Sequence, residues 1–168
     1  MTTRIAESAI EAFAIELLEK QGYQYLYGPD IAPGGVNEER KSFEDVLLFD
    51  RLKRAINAIN FRVPVEARED ALKQIQRFGS QELIVNNEAF HRMLTEGIRV
   101  SYRKEGVERG DLVWLIDFDH PENNEFLVIN QFTVFEGNIN KRLDVVLFVN
   151  GIPLVVIELK NPADELAT

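Results

Sequence analysis

Asp144, Glu158 and Lys160 are the residues of this chain whose types and spacing could do chemistry. They stand near the two ends of one stretch, KRLDVVLFVNGIPLVVIELK, residues 141–160. Two carboxylates and a backbone carbonyl, that of Leu159, are hard oxygen donors that suit magnesium, which keeps further positions for water and a phosphate oxygen. A lysine beside them could orient or help deprotonate an attacking water and offset charge building on a phosphorane. The same three residues also admit a plainer reading, a structural salt bridge of Asp144 or Glu158 with Lys160, and spacing alone favours it at least equally.

The element that must position these groups is a β-hairpin. Two apolar runs, Val145 to Val149 and Leu154 to Ile157, flank Asn150-Gly151, the strongest short-range signal for a two-residue hairpin turn. Both runs are apolar at nearly every position, which predicts strands covered on both faces inside a sheet with helices packed on it. Alternation along the second strand puts Glu158 and Lys160 on one face and turns Leu159 to the other. Register then becomes a test. A strict two-residue loop sets Val149 against Ile152 and Asp144 against Ile157, on the wrong face. A three-residue loop or a bulge sets Asp144 against Glu158, so the chemistry predicts an irregularity, and Pro153, which cannot donate to the ladder, makes room for one.

Asp144 followed after thirteen residues by Glu158-Leu159-Lys160 resembles the D…ExK core of the PD-(D/E)XK nucleases. The longer string RLDVVLFVNGIPLVVIELKNP, with the preceding NxFLVINQF segment, resembles the amino-terminal nuclease region of the restriction (R) subunit of type I restriction-modification enzymes. Leu143 stands where the tighter pattern has proline. The resemblance implies a Mg²⁺-dependent DNA endonuclease domain, with Mn²⁺ as a substitute, in which Asp144, Glu158 and the Leu159 carbonyl hold the metal and Lys160 acts on the nucleophile. It also implies a first-helix glutamate that assists metal binding. The ESxxE spacing makes Glu11 the first candidate and Glu7 the second, and the reading of either as a boundary glutamate that stabilises a helix N-terminus stays open beside it. Cleavage would follow ATP-driven translocation of double-stranded DNA in complex with methyltransferase and specificity subunits. ATP would enter only through motor domains, which this chain lacks, and a Gln-x-x-x-Tyr motif would fall past Thr168. Two rivals remain: a catalytically silent docking module of the same complex, and a nuclease-fold DNA-repair exonuclease.

The resemblance implies a fragment of a longer bacterial or archaeal protein, and the bulk properties agree with a cytoplasmic one. A chain of 168 residues carries one sizeable core, so a single endonuclease domain over 1–168 is expected. Without cysteine there is neither a disulfide framework nor a thiolate zinc site. No apolar run reaches membrane-spanning length, and the N-terminus lacks a signal-peptide core. The formal net charge of -9 argues against strong DNA binding by this chain alone, since phosphate neutralisation needs clustered Lys and Arg.

Taken in order, residues 4–20 predict an amphipathic helix with Ile10, Phe13, Ala14 and Leu17 on one face, and with Glu7, Glu11, Ala14 and Leu18 along its border. Tyr23 to Tyr27 reads as a short strand. Gly28-Pro29 and Pro33-Gly34-Gly35 read as a loop with no Walker-type phosphate cradle. Helices are expected over Ser42 to Ile59, Glu66 to Phe78 and Asn87 to Glu96, so that a helical segment 42–96 is inserted before the main sheet. Arg51, Lys53, Arg54, Arg62, Arg68 and Lys73 make a local basic surface that reads first as a solvated helix face, with a DNA-backbone contact as the lesser alternative. From Ile98 the period becomes two, giving a strand over Ile98 to Tyr102, a polar turn over Glu105 to Gly110, a strand over Asp111 to Phe118 and a long strand over Glu125 to Phe135. Asp117-Phe118-Asp119-His120 invites a metal reading, but the Pro121-Glu122-Asn123-Asn124 that follows makes turn chemistry the better one. His91 reads as a solvent-side helix residue. The fold class is therefore α/β, restriction-endonuclease-like, with a central mixed β-sheet flanked by helices.

Overall fold

The computed structural model describes residues 7–77 and 82–160. In chain order its helices are α1 Glu7–Lys20, α2 Gly28–Ile31, α3 Phe49–Ile59, α4 Val65–Ile75 and α5 Leu83–Glu96. The strands are β1 Gln24–Tyr27, β2 Ile98–Lys104, β3 Val107–Val113, β4 Phe126–Glu136, β5 Ile139–Val149 and β6 Ile152–Ile157. The chain divides into two compact units, Met1–Phe49 with Glu125–Thr168, and Asp50–Asn124.

The first unit is built on a mixed four-stranded sheet in the order β1-β4-β5-β6. β1 runs parallel to β4, while β5 is antiparallel to both β4 and β6. Asn150 and Gly151 turn the β5–β6 hairpin with φ of 53° and 79°, the left-handed pair whose twist matches the strands. Asn150 is fully buried, because its Oδ1 accepts the Glu125 amide at 2.8 Å and its own amide donates to the Glu125 carbonyl at 2.9 Å. The turn residue thereby clips the start of β4 to the hairpin.

Each face of this sheet has its own core. Ile15 and Leu18 of α1 pack with Val128, Val145, Leu147, Ile157 and Leu159. Opposite them, Ile31 and Leu48 pack with Leu127, Ile129, Phe132, Val146 and Phe148. Two-sided coverage holds for β4 and β5, as their continuous apolar runs require. It does not hold for β6, which is an edge strand with Leu154, Val155 and Val156 exposed.

The helices of this unit depart from their expected bounds for local reasons. In α1 the packed stripe is Glu11, Ile15 and Leu18, whereas Phe13 and Leu17 of the expected face are exposed. The sequence offers two apolar stripes, and the one that carries Glu11 is chosen because side chains of β4 take up its carboxylate. Gly28 opens the one-turn helix α2 rather than a loop; a Cβ there would lie 2.4 Å from the Asn130 carbonyl oxygen. Ser42 to Leu48 is not helical. Asp45 accepts the Ser42 amide and the Ser42 hydroxyl accepts the Glu44 amide, bonds that compete with helix formation. The same segment is tied to the sheet by stacking of Phe43 on Phe135, by the Leu48 amide on the Gly151 carbonyl, and by buried Arg40, which donates to the Asp45 and Thr133 carbonyls.

The second unit carries α3, α4, α5 and a separate two-stranded sheet, β2-β3. These two strands pair with each other and do not extend the main sheet. Their connection is the two-residue turn Glu105-Gly106, with φ of 54° and 79°, so β3 starts at Val107 and ends at Val113 instead of spanning Asp111 to Phe118. Leu52 and Ile56, with Ala67, Ala71, Leu72 and Ile75, form the apolar sides of α3 and α4, and α4 packs on β2, whose Ile98 and Val100 are buried. Helix α4 ends at Ile75, before the expected Phe78, which lies outside the described residues; α5 starts at Leu83, earlier than Asn87. Buried Asn60 ties this unit together by accepting the Trp114 amide and donating to the Trp114 carbonyl. Among the described residues no helix is long and apolar enough to cross a membrane.

Candidate active site

The hairpin carries the irregularity predicted from its sequence. Val149 pairs with Ile152 and Phe148 with Pro153, but Leu147 pairs with Val155, leaving Leu154 as an extra residue in β6. The ladder then ends at Val145 and Ile157, one step from setting position 144 across from position 158. A side-chain bond closes that step, since Asp144 Oδ2 accepts the Leu159 amide at 2.8 Å. Ile157 and Leu159 both pack in the core beneath α1, and Glu158 and Lys160 are exposed, so the alternation expected for these four residues is present.

Charge around this end is arranged differently from a simple acid-lysine bridge. The ion pair that forms is Lys141 Nζ with Glu158 Oε1 at 3.8 Å, and neither Glu158 nor Asp144 is paired with Lys160. Asp144 is half-buried, while Glu158 and Lys160 stand in solvent.

Glu11 reaches the sheet from α1. Its Oε1 accepts from Asn130 Nδ2 at 2.6 Å and its Oε2 from Gln131 Nε2 at 2.8 Å. Tyr25 extends the network by donating its hydroxyl to Asn130 Oδ1 at 3.0 Å, and burial pushes its phenol above the ordinary range. Glu7 begins α1 one turn earlier; its side chain lies outside the described residues. Among the described residues no three His, Cys, Asp or Glu side chains converge, so Glu11 is not gathered with Asp144 and Glu158 into one cluster.

The spacing of candidate ligands does not single out Asn130, Gln131 and Tyr25. The signal was available: Asn130-Gln131 is a pair of adjacent amides inside the otherwise apolar run FLVINQFTVF. Buried amides need partners, and two in succession defeat strand alternation.

The remaining acid-rich segment serves itself. Asp117 accepts the His120 amide and the Asn123 side-chain amide, while Asn124 bonds both the amide and the carbonyl of Asp117. These bonds, that from Asn123 first, hold the Asp117 carboxyl below its usual range. His91 is exposed on α5.

The donors at the hairpin end fit magnesium. That ion commonly takes one or two carboxylates and fills its other positions with water and phosphate oxygens, so two acids and a carbonyl need no third acid. Exposure of Glu158 leaves the site open to a substrate.

Residues 4–168 match the family described as Type I restriction enzyme R protein N terminus. Over 162 residues the chain is 34% identical to the Type I restriction enzyme HindI endonuclease subunit of Haemophilus influenzae, covering 96% of this chain and 15% of that protein. Over 156 residues it is 33% identical to the "Putative type I restriction enzyme MjaIXP endonuclease subunit" of Methanocaldococcus jannaschii, covering 91% of this chain and 15% of that protein. The chain thus spans about 15% of the length of these two relatives.

Proposed function

Because the chain belongs to the family of type I restriction enzyme R protein N termini, we propose that it is a nuclease domain that hydrolyses phosphodiester bonds of double-stranded DNA. One observation carries this reading: the Leu154 bulge, with the Asp144–Leu159 bond, sets Asp144 across from Glu158 at the open end of the hairpin. Asp144, Glu158 and the Leu159 carbonyl are the groups that would hold Mg²⁺, or Mn²⁺ in its place. Bound there, the ion supplies Lewis-acid polarisation of the phosphoryl group and lowers the pKa of a water. Lys160 orients the attacking water in line with the scissile bond and offsets the charge that develops on phosphorus. Glu11, with Glu7 as second choice, assists through water.

In this reading cleavage follows ATP-driven translocation by a longer protein, working with methyltransferase and specificity subunits in the cytoplasm of a bacterial or archaeal cell. Such an assembly answers the net charge of -9, because the grip on the duplex is supplied elsewhere. A second reading, a silent docking module of the same complex, draws on the Lys141–Glu158 pair and on the lack of a three-acid cluster among the described residues.

Isothermal titration of Mg²⁺ and Mn²⁺ into this domain and into Asp144→Ala separates the two. Saturable binding that disappears in the variant supports the nuclease. Identical behaviour of both proteins removes the metal site and leaves the docking module.

A further inference from the structure

We propose that Gln131 is a positioning residue: its left-handed backbone conformation is the switch that sets where the Asp144 carboxylate leaves the sheet. This rests on the nuclease reading for its functional consequence, and on geometry alone for the positioning.

Gln131 has φ of 53° in the middle of β4, where an extended backbone is the rule. A residue with a side chain adopts that conformation only at a free-energy cost, so surrounding structure must hold it. Position 131 lies directly across from Asp144, since Asn130 pairs with Val145 and Phe132 with Leu143. Alternation breaks at this pair on both strands. In β4 the residues of the core opposite α1 are Leu127 and Ile129, and then Phe132 and Val134; in β5 they are Phe148 and Val146, and then Leu143. The numbering changes parity across Gln131 on one strand and across Asp144 and Val145 on the other. Consecutive side chains of a strand normally point apart, yet those of Asn130 and Gln131 both reach Glu11.

Three features hold the kink. Glu11 takes one bond from each of the two amides, and Tyr25 fixes Asn130 from its far side. Gly28 supplies the third, because a Cβ there would meet the Asn130 and Gln131 carbonyl oxygens at 2.4 and 2.8 Å. α2 can therefore lie against the kinked backbone only with glycine at that position. These contacts converge on the pair Asn130-Gln131, the second of which faces Asp144. A β4 with unbroken alternation would carry its far half, and the facing residues of β5, to the other face of the sheet, and the Asp144–Leu159 bond would not form.

The test uses Gln131→Gly, which keeps the left-handed conformation and removes the side chain, and Gln131→Val, whose β-branched side chain opposes that conformation. Amide hydrogen exchange at Leu159 reports the Asp144 bond without any metal, and Mn²⁺ titration reports the site. In Gln131→Val, Leu159 exchange should quicken at least about tenfold and Mn²⁺ affinity fall at least about tenfold, with the β4–β5 ladder amides still protected. In Gln131→Gly both should stay within about threefold of the parent. Parent-like behaviour of Gln131→Val, or equal losses in the two variants, overturns the proposal, the latter because the side chain and not the backbone would be responsible. If the parent binds no Mn²⁺ while Leu159 exchange still separates Val from Gly, the positioning stands and the nuclease reading fails.

Discussion

Two stretches of this molecule place acids beside a basic side chain, and they use them in opposite ways. In the loop Asp117 to Asn124, the Asp117 oxygens each accept a hydrogen bond from the loop itself, and Asn124 closes the ring. At the end of the β5–β6 hairpin, among the described residues, Asp144 accepts one amide, that of Leu159, and Glu158 has a single cation at 3.8 Å. An acid whose lone pairs are occupied by its neighbours builds a turn; an acid held in place but left with unfilled acceptor capacity can take a ligand. Composition does not distinguish the two cases, and hydrogen-bond satisfaction does.

The largest expected effect comes from undoing the register that creates the second case. Inserting one alanine between Val155 and Val156 shifts the register beyond the bulge by one residue, which puts Asp144 across from Ile157 and turns Ile157 and Leu159 out of the core under α1. The loss of two packed side chains predicts destabilisation of about 3 kcal/mol or more together with loss of divalent-ion binding. Urea unfolding and Mn²⁺ titration measure the two parts. Retained binding in the insertion variant would break the contrast at its root.

Next in size is a reciprocal pair of substitutions. Asp144→Asn keeps an acceptor for the Leu159 amide but removes the charge, and should weaken Mn²⁺ binding by more than about 100-fold, since even indirect partners of a metal ligand are worth 10–100-fold. Its thermal midpoint should stay near that of the parent. Asp117→Asn should do the reverse, lowering the midpoint and leaving Mn²⁺ affinity unchanged. Equal loss of affinity in both would erase the distinction between the two acids.

Acid titration sharpens the same contrast by a smaller effect. The folded-state pKa of Asp117 is depressed by its bonds to Asn123 and His120. A depressed carboxylate contributes stability above its unfolded pKa, near 3.9 for aspartate, and that contribution is lost as pH falls through the lower folded value. The gap in thermal midpoint between the parent and Asp117→Asn should therefore be full at pH 5 and close progressively below about pH 4. Calorimetric scans across that range measure it, and a gap independent of pH would mean that the charge of Asp117 has no part in holding the loop.

How much of this was legible in the sequence follows from whether local rules were enough. The hairpin was legible because Asn150-Gly151 states its own turn, and the bulge was legible because Asp144 and Glu158 had to be reconciled with it. The turn role of the Asp117 loop was legible from its asparagines and proline. The packed face of α1 was not, because Phe13 and Leu17 make as good an apolar stripe as Ile15 and Leu18, and the choice is made by amides on β4 more than a hundred positions away. The helix start at Phe49 was hidden because apolar spacing continues through Ser42 to Leu48, where Ser42 and Asp45 bond the backbone instead. β2 and β3 carry a strand signal, but no local pattern says which sheet a strand joins. The Gln131 kink was written in two adjacent amides, which pattern reading treated as ordinary strand residues.

The smallest effect decides what Glu158 is for. Lys141 and Glu158 retain side-chain exposures of 63% and 39%, and at 3.8 Å in solvent such a pair contributes less than about 0.5 kcal/mol. Lys141→Ala should therefore leave the thermal midpoint almost unchanged. It also removes a positive charge next to a carboxylate proposed to hold a cation, so Mn²⁺ affinity should rise by about two- to fivefold at low salt and the gain should shrink as salt is added. A structural role for the pair predicts the opposite pattern, a lower midpoint with unchanged affinity. Because the two readings of Glu158 move different observables, a single variant measured at two ionic strengths separates an acid that braces the hairpin from one that the bulge has left ready for a metal.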